Sequence, residues 1–163
     1  MKMNKKGFTL VELLAVIAIL AILVVMAVPN VLSMFNGAKS SAFASQAESL
    51  YKAAQEQVIS KQLTGASSSA YTFCSATAAN NLNINASSNL HYYIKYSNGN
   101  ITDFYVEDGS FAIKLTGTVQ LESIPVVSGD TYSNIYLSNG TKITTCAATA
   151  DIVKTESTHA PTK

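Results

Sequence analysis

Apolar residues follow three different rhythms along this 163-residue chain. From Leu13 to Val28 they run unbroken, and between Phe8 and Val28 only Thr9 and Glu12 are polar. A helix needs about 20 apolar residues to cross the hydrocarbon core of a bilayer. Further on, Phe43, Ala47, Leu50, Ala54 and Val58 recur at steps of four, three, four and four, which is one face of a helix. Lys39, Gln46, Lys52, Gln57 and Lys61 mostly fall on other faces. From Leu90 the period drops to two, with Leu90, Tyr92, Ile94 and Tyr96 alternating with His91, Tyr93 and Lys95.

The first two rhythms predict one long helix from Phe8 to Gln62, about 80 Å at 1.5 Å per residue. Pro29 falls inside it. A proline there removes one backbone hydrogen bond and crowds the carbonyl of Val25, so the helix either stops or continues with a kink. The apolar spacing beyond it argues for continuation, with Asn36-Gly37 as a second weak point. The first half is apolar on every side and needs lipid or other helices around it, whereas the second half is amphipathic and packs on its own subunit. Ala15, Ala18, Ala21 and Ala27 would allow close approach between such helices, and ordinary membrane-span composition accounts for them equally well.

Residues 64–89, rich in Gly, Ser, Ala, Thr and Asn, read as a loop. Beyond them Asn98-Gly99, Asp108-Gly109 and Asn139-Gly140 are turn signals between alternating segments. The strands expected are Leu90–Tyr96, Ile101–Val106 and Phe111–Leu115, with Gly117–Ile124 as an extension or a further strand, and a last hairpin of Ile135–Leu137 with Ile143–Thr145. The fold class is therefore α+β, a long N-terminal α-helix packed on a C-terminal antiparallel sheet of four or five strands. Residues 147–163 read as a polar tail.

Composition narrows the partners. The chain carries eleven lysines, no arginine and a formal net charge of +1. Arginine is the preferred residue for bidentate phosphate and base contacts, so nucleic-acid binding is not expected. Lys2, Lys5 and Lys6 precede the apolar run and no lysine follows until Lys39. The positive-inside rule then leaves the N-terminus cytoplasmic and everything after Val28 outside. Export permits a disulfide between Cys74 and Cys146, the single intramolecular pairing two cysteines allow. It would close a loop of about 72 residues and contribute about 4 kcal/mol if unstrained. The other reading is a pair of buried thiols.

Glu12 distinguishes three readings of the N-terminus. An ordinary signal peptide would be cut after Val25-Met26-Ala27, and a plain anchor would not be cut. A leader of residues 1–7 would be cut between Gly7 and Phe8, and the apolar segment retained. A carboxylate in a bilayer costs roughly 2.5–3.5 kcal/mol on insertion scales, a cost that neither of the first two readings uses. Cleavage after Gly7 creates an α-amino group on Phe8 at a helix N-terminus, where the macrodipole disfavours positive charge. Glu12 of the same chain, or of a neighbour, would pair with it, and an intersubunit pair would set axial register.

The segment Lys5-Lys6-Gly7-Phe8-Thr9-Leu10-Val11-Glu12-Leu13-Leu14 resembles the class III signal of type IV prepilins and related pseudopilins. The resemblance is sharp over residues 1–35 and architectural beyond them. It implies cleavage between Gly7 and Phe8 and N-methylation of Phe8 by a prepilin peptidase, with Glu12 neutralising a neighbour's N-terminal amine during assembly. It implies unwinding near Pro29 and a pilin-like roll. The expected organisation is a leader (1–7), a hydrophobic transmembrane and assembly helix (8–35), its amphipathic half (36–63), a loop (64–89), a sheet domain (90–146) and the tail (147–163). The partners implied are other pilin subunits in a helical homopolymer, the peptidase, an inner-membrane assembly platform, and the lipid bilayer before assembly. The function implied is the structural subunit of an extracellular type IV pilus filament. The alternatives are a pseudopilin of a type II secretion or DNA-uptake system, and, more distantly, a secreted binding protein with an ordinary signal peptide.

Little else in the chain suggests chemistry. No paired-histidine metal motif, phosphate loop or nucleophile elbow occurs, so neither an enzyme nor a cofactor is expected. His91 reads as a strand surface residue, and His159 lies in the tail. Asp103, Glu107 and Asp108 flank a turn and offer hard oxygens for calcium, although a solvated turn explains them better. Asn85, Asn100 and Asn139 begin glycosylation-like triplets. The tyrosines from Tyr92 to Tyr105 read as sheet packing before a binding or electron-transfer surface.

Overall fold

A computed structural model describes residues 9–65, 68–84, 88–124, 135–147 and 152–158, without the side chains of residues 33 and 153–158. The chain divides into two units, Met1–Asn36 and Gly37–Lys163. The cleavage positions Gly7 and Phe8, His159 and the Asn85 triplet lie outside the described residues.

One helix, α1 (Leu10–Leu63), contributes to both units. It continues through Pro29 rather than stopping there, so the apolar spacing predicts the outcome correctly. In the first unit its large apolar side chains are exposed on all sides, from Leu10 at 79% to Phe35 at 56%. At the start of the second unit the hydroxyls of Ser40 and Ser41 both donate to the Gly37 carbonyl, at 3.0 and 2.8 Å.

From there the helix buries one face. Phe43, Ala47, Leu50, Ala54 and Val58 are all buried, the five positions picked out by their spacing. They pack on a sheet of β1 (Ala70–Cys74), β2 (His91–Ser97), β3 (Asn100–Glu107), β4 (Phe111–Val119), β5 (Tyr136–Ser138) and β6 (Val153–Thr158). The strands lie in sequence order and every neighbouring pair is antiparallel. Register sets the inner face. Tyr92 pairs with Val106 and Val106 with Ile113, while Phe73 pairs with Ile94, Ile94 with Phe104 and Phe104 with Leu115. Each large apolar side chain so buried contributes about 1.5–3 kcal/mol. Tyr51 pins the helix to the end of β4, its hydroxyl donating to the Val119 carbonyl at 3.1 Å and its ring meeting Phe104 edge-on at 6.1 Å.

Three expectations need correction. The stretch 64–89 is not all loop, because β1 lies within it, where Tyr71 and Phe73 alternate with Thr72 and Cys74 among small polar residues. The stretch 147–163 is not all tail, because β6 closes the far edge of the sheet, which therefore has six strands rather than four or five. The expected Ile135–Leu137 and Ile143–Thr145 hairpin does not form, since β5 pairs with β4 and β6 instead. At Asn139-Gly140 the Asn139 carboxamide oxygen accepts from the Thr141 N–H and the Gly140 N–H donates to Ser138 Oγ, which turns the chain out of the ladder. Gly117–Ile124 divides in the same way, with β4 running to Val119 and a single 3-10 turn following at Leu121–Ser123.

Candidate functional site

The first turn of α1 carries the chemistry that stands out. Glu12 Oε2 accepts hydrogen bonds from the Thr9 N–H and the Thr9 hydroxyl, both at 2.8 Å. The Glu12 N–H donates back to Thr9 Oγ1 at 3.3 Å, and the Leu13 N–H reaches the Thr9 carbonyl at 3.2 Å. This is a capping box, in which an N-cap threonine and a glutamate three residues on satisfy each other's orphan N–H groups. Thr9 was not among the predicted site residues, although Thr-x-x-Glu ahead of an apolar run is its sequence signature. The box uses one carboxylate oxygen of Glu12. Both residues are exposed.

Beyond this turn the helix offers an apolar surface and nothing polar until Asn30. It is long and apolar enough to cross a membrane. Pro29 lies within it, and its missing N–H leaves the Val25 carbonyl without its helical donor. The arrangement supplies a charged group and a hydrogen-bonded start at one end of an otherwise oily rod. That suits packing among lipids or like helices.

A second feature lies on the outer face of the sheet. Cys74 pairs in register with Tyr93, and Tyr93 with Tyr105, whose rings lie 5.8 Å apart. Cys74 and Cys146 form a disulfide across a Cα separation of 5.5 Å, well within the usual range. With it, Ile143 and Ile152 cover Tyr93, Tyr105 and Ala112 in a second apolar cluster. The tyrosines are therefore packing residues rather than a surface. Burial raises the pKa of Tyr92, Tyr93 and Tyr105 above the ordinary tyrosine value, and the Asp103 charge adds to this at Tyr93 and Tyr105. Tyr92 also accepts from the Leu82 N–H at 2.6 Å and donates to Asn81.

The acidic trio does not converge. Glu107 is fully buried, accepting from the Gly109 N–H at 2.8 Å through Oε2, while Oε1 has no hydrogen-bond partner among the described residues. Asp108 caps the β3–β4 turn by accepting from Ser110 and Phe111. Asp103 sits further along β3, opposite Lys95. Among the described residues no group of three His, Cys, Asp or Glu side chains is placed to hold a metal ion. His91 is the cross-strand neighbour of Glu107 and is half-buried.

A family model for the prokaryotic N-terminal methylation motif matches residues 2–28, spanning Gly7, Phe8, Thr9 and Glu12. Neither a curated protein nor a solved structure matches the chain.

Proposed function

We propose, on the premise that this chain carries the N-terminal methylation motif of type IV pilins and pseudopilins over residues 2–28, that it is the structural subunit of an extracellular type IV pilus. The precursor sits in a bacterial membrane through α1, with Gly37–Lys163 outside. A prepilin peptidase cuts between Gly7 and Phe8 and methylates the new amine. An inner-membrane platform then moves the subunit from lipid into a filament, where the apolar half of α1 packs against the same element of other copies.

The observation that carries this reading is the Thr9–Glu12 pair at the head of a helix whose apolar side chains are uncovered on every side. A carboxylate in such a place is costly in lipid and useful only with a cation to meet it. The Phe8 amine left by cleavage is such a cation. The Glu12 oxygen not used by the cap is available to the amine of a neighbouring subunit, which would fix how far one helix slides past the next.

The test is the mass of the N-terminal peptide from material sheared off cells that possess the peptidase. A peptide beginning at methylated Phe8 supports the reading. A start at Val28 replaces it with an ordinary secreted protein, and an intact Met1 replaces it with a plain anchor. Long filaments in the sheared fraction indicate a pilus, whereas loss of secretion or DNA uptake in a deletion strain, without long filaments, indicates a pseudopilus.

A further inference from the structure

Two Asn-Gly pairs lie on the surface of the second unit, and the fold treats them differently. Asn98-Gly99 is the two-residue loop of the β2–β3 hairpin, closed by Ser97 opposite Asn100. Asn98 has φ 51° and Gly99 φ 89°, both left-handed, as a type I′ turn requires. Both residues are exposed, and a Cβ built on Gly99 would meet nothing within 4 Å. The Asn98 backbone is tied by its N–H to the Ser69 carbonyl at 3.1 Å. Among the described residues no hydrogen bond holds the Asn98 carboxamide or the Gly99 N–H.

Asn139-Gly140 is also exposed, but its reactive atoms are engaged. The Gly140 N–H donates to Ser138 Oγ at 3.1 Å, and Asn139 Oδ1 accepts from the Thr141 N–H at 2.8 Å. The Asn139 N–H donates to the Ile152 carbonyl at 3.1 Å, so the segment is also held to the chain that leads into β6.

We propose that Asn98 is a site of spontaneous deamidation to aspartate and isoaspartate, and that Asn139 is shielded from the same reaction by the Ser138 and Thr141 bonds. The Gly99 nitrogen loses its proton to solvent base and attacks Cγ of Asn98. A nitrogen–carbon bond forms, the bond from Cγ to the side-chain nitrogen breaks, and that nitrogen leaves as ammonia with a proton from solvent. Water then opens the cyclic imide. Attack at Cγ gives aspartate, and attack at the main-chain carbonyl gives isoaspartate. The balance is one water consumed and one ammonia released, with no redox step. At Gly140 the same attack must first free a nitrogen whose hydrogen is already donated, and must pull Asn139 Oδ1 off Thr141.

The product carries a negative charge at the hairpin tip. In the isoaspartyl form it also carries an additional main-chain carbon, which a two-residue turn cannot absorb in register. On the extracellular location proposed above, the conversion accumulates with the age of the subunit.

Full-length protein in detergent micelles is incubated in warm, mildly alkaline buffer and digested at intervals, with the two peptides quantified by mass and by isoaspartate detection. The expected result is acid forms of the Asn98 peptide accumulating several-fold faster than those of the Asn139 peptide, with the difference vanishing in chain unfolded by urea. Equal rates in the folded protein, or faster conversion at Asn139, overturn the proposal. So does an Asn98 that stays intact while the unfolded chain converts. Ser138→Ala should raise the Asn139 rate several-fold, and an unchanged rate in a folded variant overturns the shielding. Hydrogen exchange on the wild type gives a second check, with slower exchange expected at Gly140 than at Gly99.

Discussion

Thr9 and Glu12 hold each other across the first turn of α1, the threonine giving two hydrogen bonds to one carboxylate oxygen and receiving one from the glutamate backbone. Glu12 therefore has two duties, a local one that starts the helix and a charged one that the proposed assembly uses. They are separable. Glu12→Gln keeps an oxygen for the cap and removes the charge. We expect it to insert in the membrane at wild-type levels while the filament yield in the sheared fraction collapses. Normal yield from Glu12→Gln would show that the cap suffices.

Thr9→Ala removes the cap and leaves the charge. Loss of an N-cap side chain costs about 0.5–2 kcal/mol, here confined to the first turn. Faster amide exchange at Glu12 is expected, with a smaller loss of filaments than in Glu12→Gln. Exchange rates equal to wild type would mean that the box does not hold this helix end.

Replacing both cysteines with serine removes a crosslink spanning 72 positions. The chain-entropy account gives a loss of about 4 kcal/mol in unfolding free energy, read as a lower urea midpoint. Ile143 and Ile152 should loosen first, because they cover the outer face beside the crosslink. Tyr93 and Tyr105 should then become accessible to iodination.

The inner face responds to truncation as a packed core does. Phe104 is fully buried beneath Tyr51, and Phe104→Ala should cost about 3–5 kcal/mol. Ile59 lies on the same helix but is exposed, and Ile59→Ala should stay within about 0.5 kcal/mol of wild type. Paired denaturation curves measure the contrast.

Alkali should destabilise the second unit. Burial raises the pKa of Tyr51, Tyr92, Tyr93 and Tyr105, so the fold favours their neutral forms. That preference is fully expressed below the unfolded-chain value of about 10 and is lost as pH rises through the higher folded values. The urea midpoint should fall once pH passes about 10, together with the rise of tyrosinate absorbance. A midpoint that rises through that range would contradict the assignment.

The sequence makes some of these features easy to read and hides others for physical reasons. The buried stripe of α1 and strands β2 to β4 are legible, because helical spacing and strict alternation between Asn-Gly and Asp-Gly turns report local geometry. β1 hides because Tyr71 and Phe73 are embedded in a Ser-, Ala- and Thr-rich stretch, and β6 hides because an edge strand needs few apolar residues. The outer cluster is out of reach of any local pattern. It exists because Ile143, Cys146 and Ile152 return over a sheet face laid down far earlier in the chain. Thr9-Leu10-Val11-Glu12 spells a capping box, a signal passed over when Glu12 is read for its charge alone.

The strictly sequential strand order has a consequence for how such a chain matures. A polypeptide that emerges N-terminus first can add each strand to the one just before it, with no strand left waiting for a distant partner. By the end of β4 most of the inner face has been made, while Ile124 and Ile135, which complete it, and Cys146, the partner of Cys74, are still to come. The crosslink can therefore close only late, once Cys146 has followed β5, with β6 still to be added at the far edge. A nascent chain interrupted before Cys146 would lack the crosslink and the Ile152 cover, and so would leave Tyr93 and Tyr105 more open on the outer face.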